Sequence, residues 1–108
     1  NKMKKFEFVE NLSGSVTQIP AASIVRRSLL KQDGLDVTLF GFAQGQALSE
    51  HTAPYSAIIE IISGEAKLVL GGEVILAKSG AWIYMPANLP HALEALTPLV
   101  MLLTMIKK

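Results

Sequence analysis

The chain has 108 residues, of which half are hydrophobic, 18% are charged and none is cysteine. That length supports one domain with a substantial core, the apolar fraction argues against disorder, and the lack of thiols excludes a disulfide scaffold, a thiolate metal site and a cysteine nucleophile. A net charge of +1 from 10 basic and 9 acidic residues, with no basic stripe, excludes the electrostatics of a nucleic-acid binder. The apolar excess needs a dry interior, an apolar pocket or a subunit interface to absorb it, so a homodimer is expected.

Along the chain, "NKMKKFEFVENLSG" lacks the apolar stretch of a secretory signal. The longest strongly apolar run, Leu99 to Ile106, is far short of the roughly 18 residues that span a bilayer. A cytoplasmic protein with no membrane partner is therefore expected. "PAASIVRRSLLKQDG" reads either as a helix over Ala21 to Lys31 that stops before Gly34, or as a strand, which branched Ile24 and Val25 favour. "KQDGLD" then reads as a hairpin turn around Gly34. The runs "LDVTLFGFA", "AIIEIIS", "AKLVL", "EVILA", "AWIYM", "HALEAL" and "LVMLLTMI" follow, each short and bounded by turn residues. Gly71-Gly72 supplies a tight hairpin between two of them, and "AKSGAW" around Gly80 reads as another. Pro98 argues against a C-terminal helix, leaving a strand to close the sheet. The whole pattern predicts an all-β sandwich or barrel, one domain over residues 1–108.

The chain's two histidines, His51 and His91, sit in related surroundings. From Gly45 to Gly64 the order is glycine, a five-residue gap, His51, Ala53, Ala57, then Gly64 after six more residues. From Gly80 to Ala95 it is glycine, a five-residue gap, Pro86, Asn88, His91, then Ala95.

These two stretches, 45–64 and 80–95, resemble the paired motifs of the cupin superfamily, small antiparallel barrels of jelly-roll type. The resemblance implies that motif one carries His-x-His, a short gap and a glutamate, and that motif two carries Pro-x-Gly and a histidine, then an asparagine. In metal-bearing members the three histidines and the glutamate converge on one divalent ion. Here Ala53 stands at the second histidine, Ala57 at the glutamate, Asn88 at the glycine and Ala95 at the asparagine. Two of four implied ligands remain, and the carboxylate is gone.

Strand alternation adds that if His51 faces inward, so do Ala53, Ala57, Ile59 and Ile61, while Glu60 faces the other way. Glu50, next to His51, faces away unless the strand bulges. The expected pocket is thus lined by His51, Ala53, Ala57, Ile59 and His91. Three readings of the histidine pair follow. It could bind a divalent ion such as zinc, nickel, iron or manganese, weakly because a third protein ligand is missing. It could fix the orientation of a small organic ligand in an apolar pocket, with no metal. Or both rings could be satisfied structurally, with no ligand. The preferred reading is a small-molecule-binding or sensor-like protein with a degenerate two-histidine metal site. The alternative is a metal-dependent enzyme of isomerase or dioxygenase type, the fold alone deciding neither.

Among the remaining residues, Trp82 and Tyr84 share a strand face and read as core or dimer-interface aromatics. Met85, Met101 and Met105 read as gap-fillers. "PANLP" reads as a rigid turn that delivers His91, with Asn88 tolerating positive φ. Of adjacent Arg26 and Arg27, one could reach a pocket mouth and meet an acidic ligand, although a solvated edge strand is the plainer reading.

Overall fold

The computed structural model describes residues 6–16 and 18–107. Among them are nine strands: β1 (Ile24–Gln32), β2 (Leu35–Phe42), β3 (Ala47–His51), β4 (Ser56–Ser63), β5 (Glu65–Leu70), β6 (Glu73–Lys78), β7 (Trp82–Met85), β8 (His91–Ala95) and β9 (Leu99–Ile106). All pairings are antiparallel. One sheet runs β1-β2-β9-β4-β7 and the other β3-β8-β5-β6, which is the expected all-β jelly roll. The ambiguous segment is a strand, β1, paired with β2 along its length. No helix among the described residues is long and apolar enough to cross a membrane.

The period-two pattern accounts for which faces meet. In β4, Ala57, Ile59 and Ile61 are buried while Ile58, Glu60 and Ile62 are only half-buried, so every second residue enters the space between the sheets. β5 does the same with Ala66 and Leu68. One end of the barrel is filled. There Ala66 pairs with both Ala95 and Ala77, a row of small side chains that leaves room for Phe42, Ile61 and Leu99 in the same core cluster. The position where the family motif carries asparagine is thus a fully buried Ala95.

β2 is covered on its other face too. Leu39 is wholly buried on the pleat opposite Phe40, and Val16 and Ile19 close over Gly41 on that side. At the C-terminal end Lys107 forms an ion pair with Asp36 and lies over the Tyr55 ring. The hydrogen bond to Asp36 holds the Lys107 ammonium above its ordinary range, with burial working the other way.

Two turns match and one does not. Gly71 and Gly72, both at positive φ, form the two-residue turn between β5 and β6, and Gly34 closes the β1–β2 hairpin at φ +79. The turn around Gly80, expected to be a hairpin, instead carries the chain from one sheet to the other, because β6 pairs with β5 while β7 pairs with β4. Its geometry is held by backbone bonds from Gly80 to Ile61 and from Ile61 to Ala81, and by the Ser79 hydroxyl donating to the Ile62 carbonyl at 2.9 Å. Local turn chemistry is the same for a hairpin and for a crossover. Only the partner strand distinguishes them.

Candidate functional site

β3 and β8 place His51 and His91 directly opposite each other. Directly opposed residues share a sheet face with their side chains in contact, and the two rings lie 4.2 Å apart, centroid to centroid, tilted by 59°. β3 is a strand that the apolar pattern did not reveal. Its sequence, "ALSEH", is mostly exposed, so it exists by pairing with β8 and not by burying a face. Its register shifts between Leu48 and His51, a bulge that lets His51 turn inward while Glu50 stays exposed.

His91 is placed by the loop before it. Asn88 takes φ +68, as its short polar side chain allows, and its N–H donates to the Ala53 carbonyl at 2.8 Å. One backbone bond therefore ties the "PANLP" turn to the segment after His51. Leu89 donates to Pro86 within that turn, and the Leu89 carbonyl is left for the histidine.

Each ring is locked in the same way. His51 Nδ1 lies 2.8 Å from the Ser49 carbonyl and His91 Nδ1 lies 2.8 Å from the Leu89 carbonyl. A carbonyl oxygen only accepts, so both Nδ1 atoms must carry the proton. In the neutral pair both Nε2 atoms then hold lone pairs, and the site presents two acceptors without a donor between them.

The five expected pocket residues lie at one end of the barrel. A cavity of about 430 Å³ is lined by His51, Ile59 and His91 together with Phe40, Leu68 and Met101. A smaller adjoining space of about 70 Å³ touches His51, Ala53, Ala57 and His91. All four positions of the family's ligand set therefore line this one small space, two of them as alanine. Ala57 and Ile59 are buried, Ala53 and His91 half-buried, and His51 exposed at the rim. Glu60 faces away from both cavities.

Sequence reasoning left one lining residue undecided. Arg26 lines the larger cavity, with its guanidinium 5.8 Å from the Phe40 ring centre, whereas Arg27 does not. Trp82 and Tyr84, read as core or interface, are not core: they are 62% and 51% exposed, because β7 is an edge strand and their pleat faces outward.

The donor set is a poor match to a resident metal. Among the described residues no group of three or more His, Cys, Asp or Glu side chains is placed to hold an ion. Two neutral imidazoles fall one protein ligand short of a catalytic centre.

Comparison with known proteins agrees with the geometry. The family model described as "Cupin domain" matches residues 38–106. A conserved protein of unknown function from Streptococcus pyogenes is similar along the whole chain, with 31% identity, TM-score 0.88, and coverage of 100% of this chain and 98% of that one. A cupin 2 conserved barrel domain protein from Leptotrichia buccalis is 32% identical over 87% of this chain and 46% of its own, with TM-score 0.81. A salicylate 1,2-dioxygenase from Pseudoaminobacter salicylatoxidans shares the fold at 14% identity and TM-score 0.73, over 88% of this chain and 31% of that one. No curated protein matches the chain. With both motif stretches in register on a nine-stranded jelly roll and the family model covering most of the chain, the protein belongs to the cupin family.

Proposed function

We propose that the chain binds a small organic molecule in the cavity between its sheets, with His51 and His91 as the orienting pair and no resident metal. The observation that carries this reading is the matched tautomers. Both Nδ1 protons are spent on backbone carbonyls, which leaves the Nε2 lone pairs of two residues that line a cavity whose other walls are largely aliphatic, aromatic or thioether. Such a site selects a molecule with an apolar body and a hydrogen-bond donor, a hydroxyl or N–H, at the end that meets the pair. The absence of bulk at Ala53 and Ala57 supports the same reading, since it leaves space beside the rings.

The test uses 4-ethylphenol, an apolar body with one hydroxyl donor, followed by calorimetry and by histidine 15N spectra that distinguish the two ring nitrogens. Binding should perturb the Nε2 signal of the ring that accepts the hydroxyl proton and leave Nδ1 protonated on both. His51→Ala or His91→Ala should weaken it by about 5- to 150-fold, the equivalent of about 1–3 kcal/mol for a donor left without its acceptor. Binding that ignores both substitutions would refute the reading.

A second reading is a metal-dependent enzyme of isomerase or dioxygenase type, with substrate or solvent completing the shell. One observation favours it: metal-ligating histidines usually donate their other ring N–H to a carbonyl or carboxylate, as these two do. Elemental analysis of protein purified without added metal separates the two. Stoichiometric metal lost in both alanine variants would favour the enzyme.

A further inference from the structure

We infer that Arg26 is the specificity-determining residue of the cavity, and that the ligand is a monocarboxylate whose anionic end meets Arg26 while its donor end meets the histidine pair. This rests on the binding reading above and adds the chemical class of the ligand.

Three observations carry it. First, no acidic residue lines the cavity, and Arg26 is its only charged one. Among the described residues the one ion pair is Lys107 with Asp36, so the Arg26 charge has no partner among them. Second, the guanidinium is held over the Phe40 ring, and Phe40 is itself core. A cation–π contact of this kind is electrostatic and leaves the guanidinium's fork of N–H donors to a planar carboxylate. Third, position sets the length. Arg26 pairs with Phe40, and Phe40 with Met101, whereas the residues of β9 beside the histidine pair are Leu103 and Met105. Two to four residues of strand separate the two polar ends, about 7 to 14 Å.

The charge balance argues for carboxylate over phosphate. One guanidinium neutralises one negative charge, whereas a phosphate monoester carries about 1.5 to 2 at neutral pH. Arg27 lies outside the cavity, so a phosphate there would find no second cation to match its second charge.

The test compares 3-(4-hydroxyphenyl)propanoate with its neutral isostere, 3-(4-hydroxyphenyl)propanamide, by calorimetry on the full chain at low ionic strength. The acid should bind about tenfold more tightly than the amide. Arg26→Gln should weaken the acid far more than the amide and so erase that preference, Arg26→Lys should restore part of it, and Arg27→Gln should leave it intact. Equal binding of acid and amide to the unaltered protein, or an acid preference that survives in Arg26→Gln, would overturn the role of Arg26 and leave the histidine reading standing. Failure of both probes to bind folded protein would overturn both. Circular dichroism of each variant confirms folding, which an exposed edge-strand residue such as Arg26 should not disturb.

Discussion

Gly64 closes the first motif, and its replacement should be the most damaging of the motif glycines. It joins β4 to β5 at φ +91, where a Cβ would lie 2.1 Å from the Pro98 carbonyl oxygen and 2.9 Å from Thr97 Oγ1. The same hydroxyl accepts from the Glu65 N–H at 3.0 Å, so the space is walled by a backbone and by a bonded side chain, neither free to retreat. Gly45, Gly72 and Gly80 have similar φ, +85, +85 and +94, with nothing within 4 Å of the added atom. They are internal controls for backbone strain alone. Left-handed backbone costs a non-glycine residue about 1–2 kcal/mol, and forcing an extra carbon into a packed site costs about 1–3 kcal/mol more. Gly64→Ala should therefore lose about 2–5 kcal/mol, against about 1–2 kcal/mol for Gly45→Ala, Gly72→Ala or Gly80→Ala. Since about 1 kcal/mol moves the midpoint of a domain near this size by about 4–8 °C, thermal unfolding should place Gly64→Ala at least about 4 °C below every control. Melting within about 2 °C of Gly72→Ala would refute the reasoning, because the Pro98 carbonyl would then not confine Gly64.

Two further predictions concern the metal site and the assembly. Ala53→His combined with Ala57→Glu should complete the four-position set around His51 and His91. Losing even a hydrogen-bond partner of a metal ligand costs about 10- to 100-fold in affinity, so two added direct ligands should strengthen nickel or zinc binding by more than that; no gain in a metal titration would mean that the four positions do not converge. A homodimer should use the outward apolar residues Val74 and Leu76 of β6 with Trp82 and Tyr84 of β7, all more than half exposed. Light scattering should give twice the chain mass for the unaltered protein and the chain mass for Leu76→Ser with Trp82→Ser, and a monomeric unaltered protein would refute the interface.

Much of this protein was legible in its sequence because period-two burial is a local property. The alternation in "SAIIEIIS" already places Ala57, Ile59 and Ile61 on one face and Glu60 on the other, whatever the strand pairs with. The Gly71-Gly72 turn is likewise local, since positive φ at two successive residues needs little else. The spacing of Gly45, His51 and Gly64, and of Gly80, Pro86 and His91, carried the family resemblance and with it the expectation that two distant histidines share a site.

What tertiary structure alone decided was which strand each segment meets. β3 has no apolar stripe to announce it and becomes a strand only because β8 offers it backbone partners. The Gly80 turn is a crossover because β7 finds β4. Trp82 and Tyr84 face outward because pairing with β4 sets them opposite Glu60 and Ile58 on the outer pleat, and Arg26 looks into the cavity while its neighbour Arg27 does not, because pairing with β2 fixes the pleat. The histidine tautomers, too, depend on the Ser49 and Leu89 carbonyls being turned toward the rings by a bulge and a proline-bounded loop. Alternation along a strand specifies two faces, but only the neighbouring strands and the opposing sheet determine which face lines the cavity.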